Sequence, residues 1–249
     1  MSIKKSLNIE YEEDNLLIKL KNFEEYGVTV LVTKSNFGDV RFIDKKEISN
    51  RLSINNKILI SGKQVHSDNV VSVFDDSIFY FDNTDGFITN NKNIALMCKF
   101  ADCLPITFID IKNNVFGIVH SGWMGSNQAI ILKAIEKLKQ NFNSDLKNIK
   151  FMFGPAISKY NYEVKNDFLI KFKDKFDKNI IDKAFTINNG KIYFDNQLFN
   201  FELLKSVGVE EKNIFRNEFC TYDNKNLHSF RRDKELSGRG GTIIYWSNS

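Results

Sequence analysis

Short apolar runs separated by turn residues recur along the whole chain, and they predict a protein dominated by β-strands. Valine, isoleucine, phenylalanine and tyrosine fill these runs, as is usual on the pleated surface of a sheet. The clearest runs are NLLIKL, GVTVLVT, KILISGKQVH, NVVSVF, GFIT, IALMCKF, ITFIDI, VFGIVH, IKFMFG, AFTI, KIYF and GTIIYW.

Turn residues between these runs predict two hairpins. Asn113 and Asn114 separate ITFIDI from VFGIVH, and Asn188, Asn189 and Gly190 separate AFTI from KIYF. Asparagine and glycine tolerate the positive φ angles of tight hairpin turns. Both pairs of strands are therefore expected to be antiparallel neighbours.

Three helices interrupt the strand pattern. Apolar residues recur at helical spacing from Ser126 to Leu138, in NDFLIKFKDKF from Asn166, and in LFNFELLKSVG, which ends at Gly208. Hairpins combined with few helices favour an α+β fold over an alternating parallel one. We expect one layered α/β domain with mixed sheets and several hairpins over residues 1–249.

Composition narrows the class of protein. Hydrophobic residues make up 42% and charged residues 27%, which excludes disordered and fibrous chains. The net charge of +4 is spread without dense blocks, so no nucleic-acid partner is expected. No apolar run approaches the roughly 20 residues of a membrane span, and the N-terminal stretch lacks signal-peptide features. Together with an odd number of cysteines, three, this predicts a cytoplasmic protein without a membrane partner.

Polar residues able to take part in catalysis or ligand binding gather near strand ends, in SGKQVHS, FADCLPI, VHSGWMGS and SFRRDKELSGRGG. His66, Cys103 and His120 offer the ligand set that zinc or copper prefers, and three protein ligands leave the fourth position open, as in catalytic zinc sites. Their spacing matches no local metal motif. Two loop histidines with a buried cysteine, or a hydrolase in which a histidine deprotonates Cys103, remain alternatives.

Two stretches suggest anion binding. Gly122 and Gly125 precede a helix, where free backbone N–H groups bind anions, although a simple tight turn explains them equally well. Arg231, Arg232 and Arg239 suit bidentate phosphate binding, with a solvated surface loop as the alternative.

GKQVHS, TDGFIT, ADCLPI, HSGWMGS, GPAIS followed by YEV, and SFRRDKELSGRGG resemble, in order and rough spacing, the motifs of the YfiH-type family. This family is also called the polyphenol oxidase, laccase-domain or peptidoglycan editing factor family. The resemblance spans residues 61–246. It implies purine nucleoside phosphorylase activity on adenosine, inosine and methylthioadenosine, which yields the free base and pentose 1-phosphate, with adenosine deaminase activity beside it.

The resemblance also implies a site. Its His-Cys-His zinc ligands carry over to His66, Cys103 and His120, with copper possible in place of zinc. A purine nucleoside and inorganic phosphate are the expected partners, and a monomer or homodimer is the expected assembly.

Further roles are expected around this metal site. Asp102 is a candidate proton carrier, with a loop-stabilising acceptor as the alternative, and Gln64 is a candidate substrate contact. Arg231, Arg232 and Arg239 are candidate phosphate ligands.

Two other activities stay open. A hydrolase that edits a wrongly charged cell-wall precursor would use the same His-Cys-His site, and copper at these ligands would support weak polyphenol oxidation. A multicopper centre is not expected, because three histidines are too few to ligate it. A metal-dependent binding module without turnover is less expected, because the inferred site keeps an open coordination position.

The chain departs from the family pattern at two positions. Met124 occupies the place of an arginine, which predicts weaker phosphate use unless the C-terminal arginines compensate. His228 occupies a position where the family commonly has an aromatic residue. We interpret it as a substitution and not as a metal ligand. Cys98 is expected in the core, and Cys220 is placed by no recognisable spacing.

Overall fold

The computed structural model describes residues 3–247 and contains 17 strands and seven helices within that range. The strands are β1 (Lys4–Ser6), β2 (Ile9–Glu13), β3 (Leu17–Leu20), β4 (Val28–Thr33), β5 (Ile58–Gly62), β6 (Val70–Ser72), β7 (Tyr80–Phe81), β8 (Gly86–Thr89), β9 (Ile94–Phe100), β10 (Leu104–Asp110), β11 (Val115–Ser121), β12 (Ile149–Phe153), β13 (Glu163–Val164), β14 (Phe185–Asn188), β15 (Lys191–Phe194), β16 (Ile214–Phe215) and β17 (Gly240–Trp246). The helices are α1 (Lys45–Arg51), α2 (Trp123–Asn127), α3 (Ile130–Phe142), α4 (Asn166–Lys173), α5 (Lys178–Ala184), α6 (Asn196–Ser206) and α7 (Phe230–Asp233).

The strands form three sheets. The largest has the order β1-β2-β3-β4-β17-β9-β5-β7, the second β16-β12-β10-β11-β8-β6, and the smallest β13-β15-β14. The two large sheets are mixed, since β5 runs parallel to β9 and β7, and β12 runs parallel to β16. The predicted α+β class with mixed sheets and hairpins is confirmed.

Buried side chains show that the elements stack in four layers. Along β9, Leu96 packs between the two large sheets with Ile118 of β11, while its neighbour Met97 packs under α1 against Ile48. A third cluster joins the far face of the six-stranded sheet to helices α3 to α6. Because both faces of β9 and β11 are covered, these strands read as continuous apolar runs.

Both predicted hairpins are present. Strand β10 pairs with β11 through a turn in which Asn114 has φ 54°, and β14 pairs with β15 through Asn189 and Gly190, at φ 49° and 75°. The first turn contains four residues, 111–114, rather than two. The Asp110 carboxylate stabilises it by accepting the N–H groups of Lys112 and Asn113.

The number and the bounds of the helices differ from those that the sequence pattern predicts. The stretch predicted as one helix from Ser126 is two helices, because Ala129 has φ 55° and separates α2 from α3. Helices α4 and α6 confirm the other two predictions, and Gly208 has φ 97° just after α6. The short helices α1 and α5 were not predicted. Within residues 3–247, no helix combines the length and apolarity needed to span a bilayer.

Gly117 is required by packing in the central hairpin. It lies opposite Phe108, and a Cβ added at Gly117 would come within 2.3 Å of the Phe108 ring and 2.6 Å of the Phe87 carbonyl oxygen. We expect Gly117→Ala to lower the free energy of unfolding by about 1–3 kcal/mol, the usual cost of overpacking a core. Urea denaturation measures this change. Ile187→Ala, at an exposed position, is the control, and equal stabilities of the two variants would contradict the packing argument.

Candidate metal centre

Strand ends from both large sheets bring His66, Cys103 and His120 together. His66 follows β5, Cys103 lies between β9 and β10, and His120 is the penultimate residue of β11. The register of the central hairpin pairs Pro105 with His120, which places Cys103 at the same end. The three potential donor atoms all lie within 4.8 Å of one another, and 3.8 Å separates Cys103 Sγ from His66 Nε2.

The space between the three side chains depends on Gly122. A Cβ on this residue would lie 2.9 Å from His66 Cδ2 and 3.0 Å from Cys103 Sγ. The glycine therefore leaves room that any other residue would fill. Two imidazoles and a thiolate around such a space fit zinc, and they also fit copper.

Asp85 orients this group from behind. Its buried carboxylate accepts a hydrogen bond from His120 Nδ1 at 2.9 Å, which leaves His120 Nε2 free for a metal. It also accepts the backbone N–H groups of Val65, His66 and Ser67 and the hydroxyl of Ser67. One carboxylate thus fixes both the tautomer of His120 and the loop that carries His66, where His66 itself has φ 62°.

A polar network holds the segment after His120. The Ser121 and Ser126 hydroxyls lie 2.8 Å apart, and Ser126 donates to Asn196 Oδ1 at 2.6 Å. Asn196 Nδ2 donates to the Ser121 carbonyl, and Asn200 Nδ2 donates to Ser126 and Asn196. Buried polar groups that satisfy one another in this way stiffen the surrounding structure. The network anchors α2 to α6 beside Ser121, the residue that follows His120.

The protonation of the group follows from its surroundings. Burial opposes ionisation of Asp85, but hydrogen bonds from His120 and Ser67 lower the pKa of Asp85 to about 2. Burial also disfavours a Cys103 thiolate, yet His120 and His66 lower the pKa of Cys103 to about 6. Despite burial, Cys103 and Asp85 raise the pKa of His120 to about 9. Without metal, the two histidines therefore favour the thiolate form of Cys103.

The three side chains open into a cavity of about 560 Å³. Four cationic side chains line it, together with the aromatic rings of Trp123 and Tyr162; the cations are Arg41, Lys99, Arg231 and Arg239. The cavity is thus suited to a ligand with a planar part and a negatively charged part.

Gln64 and Asp102 line the cavity, but their polar groups are engaged by the protein. The Gln64 amide pairs with the backbone N–H and carbonyl of Lys99 at 2.7 and 2.8 Å. The Asp102 carboxylate accepts the Thr221 hydroxyl and the Arg231 N–H, both at 2.6 Å. Asp102 has φ 85°, and its contacts match the loop-stabilising alternative.

The three C-terminal arginines separate into two groups. Arg231 and Arg239 line the cavity, and Arg231 lies over the Tyr162 ring at 5.2 Å. Arg232 does not line it, because its guanidinium donates to the carbonyls of Thr221, Tyr222 and Leu227 and pairs with Asp233. The Arg232 donors hold the 221–227 loop together, and the assignment of Arg232 to phosphate stays a prediction.

The remaining sequence candidates lie outside the centre. Met124 does not line the cavity, and α2 is only five residues long. Cys98 is fully buried, as expected, and burial raises its pKa. Cys220 accepts the N–H of Ser158 at 3.3 Å, and His228 Nε2 lies 3.4 Å from the Gly38 carbonyl oxygen.

Sequence reasoning did not identify Asp85, Arg41, Lys99 or Tyr162 as site residues. Asp85 carried a usable signal, since it is an acidic residue directly before the apolar strand in TDGFIT. Arg41, Lys99 and Tyr162 come from separate segments that meet only in three dimensions.

Comparison with known proteins agrees with the motifs that indicated a YfiH-type protein. The sequence profile described as multi-copper polyphenol oxidoreductase laccase matches residues 43–247. The chain belongs to this laccase family. The resemblance to YfiH-type proteins is thereby confirmed, and the centre at His66, Cys103 and His120 lies within the matched range.

Relatives in the laccase family carry enzyme names. A Borreliella burgdorferi protein named purine nucleoside phosphorylase is 42% identical over 173 residues, 70% of this chain and 73% of that protein. A Rickettsia conorii protein of the same name is 32% identical over 217 residues, 85% of each chain. The crystal structure of Bacillus licheniformis hypothetical protein YfiH superposes with a TM-score of 0.86 at 23% identity, covering 94% of this chain and 98% of that one. This last comparison confirms the fold.

Asp85→Asn tests the orientation of His120. The amide retains the size of the side chain but has one acceptor oxygen in place of two, so His120 and the 65–67 loop compete for it. We expect metal affinity to fall about 10–100-fold, as is typical when a carboxylate behind a ligating histidine is lost. Competition with a chromophoric chelator measures this affinity.

Asp110→Asn is the matched control for this measurement. Asp110 is also a buried carboxylate that accepts backbone N–H groups, but it lies at the opposite end of the central hairpin. Its substitution is expected to lower stability and leave metal affinity unchanged. Unchanged affinity in Asp85→Asn would show that His120 does not need this partner.

Alkylation reports the state of Cys103. Because its pKa is about 6, iodoacetamide should modify the metal-free protein at Cys103 with a rate that is half-maximal near that pH and stays high above it. Bound metal should protect the residue. Peptide mass mapping across pH 4 to 10 checks this, and a midpoint near the ordinary thiol value of about 8.5 would contradict the thiolate assignment.

Proposed function

We propose that this protein is a zinc-dependent purine nucleoside phosphorylase that acts on adenosine, inosine and methylthioadenosine. The observation that carries the proposal is a partly buried His-Cys-His cluster opening into a cavity lined by aromatic and cationic side chains. The names of the relatives support the same reaction class. The proposed unit is a single domain over residues 1–249, as a monomer or homodimer.

Phosphorolysis sets three requirements for the cavity. The bond between the purine nitrogen and C1′ of ribose breaks, a phosphate oxygen bonds to C1′, and the departing base keeps the electron pair and takes up a proton. The site must bind phosphate, stabilise the charge that moves onto the base, and hold the nucleoside in line. Preorganised charges and donors achieve this best in a cavity shielded from water.

The metal is assigned to His66, Cys103 and His120. When bound, zinc supplies a Lewis acid that stabilises negative charge and acidifies water. Asp85 holds the His120 proton at Nδ1, and Gly122 keeps the space between the ligands open.

Arg231 and Arg239 are assigned to phosphate. Asp102 accepts the Arg231 N–H at 2.6 Å and therefore positions the start of α7. Because both of its oxygens are occupied, we assign Asp102 to positioning rather than to proton transfer. Gln64 holds Lys99 at the cavity wall in the same way.

Adenosine deamination is proposed as a side activity of the same cavity. It replaces the exocyclic amine of adenosine with an oxygen from water and releases ammonia. The substrate and the metal centre are shared with phosphorolysis, so both activities should depend on the same three ligands.

Cys103→Ala tests the proposed function. Loss of one of three ligands should deplete zinc and reduce hypoxanthine formation from inosine and phosphate below about 1% of the wild-type rate, a loss of more than ~2.7 kcal/mol of transition-state stabilisation. Product chromatography and metal analysis measure the two quantities. Cys220→Ala is the control, because Cys220 does not line the cavity.

Full phosphorolysis by Cys103→Ala would refute the assignment. A parallel incubation of wild-type protein with a muramyl-serine nucleotide precursor, without phosphate, separates the editing hydrolase from the phosphorylase. Turnover of that precursor alone would reject the phosphorylase.

A further inference from the structure

Two guanidinium groups converge on one wall of the cavity. Arg41 lies between β4 and α1, and Arg239 directly precedes β17. Arg41 Nη2 donates to the Ser237 carbonyl at 3.1 Å, and Arg239 Nη1 donates to the same oxygen at 3.0 Å. The backbone N–H of Val40 donates to the Arg239 carbonyl at 3.1 Å. The two segments are therefore tied to each other.

The charge on this wall is not balanced. Arg41 pairs with Asp39 through Nε and Nη2, whereas Arg239 has no carboxylate within ion-pair distance among residues 3–247. Burial lowers the pKa of Arg239, and the neighbouring charge of Arg41 lowers it further. Two guanidinium groups that share one carboxylate leave an excess positive charge facing the cavity.

Both side chains retain donors for a ligand. Within residues 3–247, Arg41 Nη1 and the Nε and Nη2 atoms of Arg239 have no hydrogen-bond acceptor. Both residues line the cavity, so these donors can meet a bound anion. The fork of a guanidinium fits two oxygens of a phosphate at once.

This wall also lies near the metal centre. The charges of Cys103 and Asp102 act on Arg239, where they favour its protonated form. Arg239 also lines the same cavity as His66, Cys103 and His120, so an anion at Arg239 would share that cavity with the metal-ligating side chains.

We propose that Arg41 and Arg239 form a clamp for inorganic phosphate. The clamp acts with Arg231 on the affinity for phosphate and leaves the nucleoside contacts to other residues. This inference rests on the proposed phosphorylase function.

Arg41→Gln tests the clamp, and Arg51→Gln is a closely matched control. Arg41 pairs with Asp39, donates to a carbonyl and lies over the Phe42 ring; its side chain is 38% exposed. Arg51 pairs with Glu47, donates to a carbonyl and lies over the Phe37 ring; its side chain is 42% exposed. Arg51 does not line the cavity.

We expect Arg41→Gln to raise the KM for phosphate about 10-fold, the usual scale for one charge-assisted contact to an anion. The KM for inosine and the zinc content should not change, and Arg51→Gln should behave as wild type. Arg41→Lys keeps the charge without the fork and should give an intermediate KM for phosphate. An unchanged KM for phosphate in Arg41→Gln, or an equal rise in the KM for inosine, would overturn the clamp.

Calorimetric titration with inorganic phosphate separates this result from a failure of the proposed function. If wild-type protein makes no hypoxanthine from inosine and phosphate, the phosphorylase is rejected. The titration still tests the clamp. Weaker phosphate binding in Arg41→Gln than in Arg51→Gln supports the clamp. Equal binding in the two variants, or no binding in the wild type, rejects it.

Discussion

The candidate site depends on one buried charge, the carboxylate of Asp85. A carboxylate in the protein interior is costly unless donors surround it, and Asp85 has five. These donors come from the loop after β5 and from β11, two segments that the chain separates widely. Because the Asp85 carboxylate accepts hydrogen bonds from both segments, it holds His66 and His120 close to each other. The geometry of the donor atoms is a consequence of this requirement.

Close packing supplies the second constraint. Gly122 lies so close to His66 and Cys103 that the backbone itself forms one side of the site. Behind it, the hydrogen bonds among Ser121, Ser126 and Asn196 prevent this backbone from moving away. A rigid backbone wall and an oriented imidazole together hold the ligands in place before any metal is bound.

Local patterns in the sequence predicted much of the fold. The continuous apolar runs of β9 and β11 and the asparagine turns are properties of neighbouring residues, and the strands and both hairpins follow from them. The break at Ala129 was missed, because alanine favours helix and its positive φ leaves no mark in the local sequence. The grouping of His66, Cys103 and His120 was found from chemical type and family motifs. Arg41 and Tyr162 could not be found in this way, since their roles arise from contacts between distant segments. Arg232 resembled Arg231 in sequence, yet the carbonyl groups of one loop occupy its donors.

The origin of the three ligands in two sheets has a mechanical consequence. His66 extends from the eight-stranded sheet, His120 belongs to the six-stranded sheet, and Cys103 lies on the connection between them. An ion held by all three residues would connect the two sheets, because moving one sheet relative to the other would stretch the bonds between the ion and its ligands. Its contribution to the free energy of unfolding would grow with the free ion concentration as RT ln(1 + [M]/Kd). Scarcity of the ion would then weaken the contact between the two sheets.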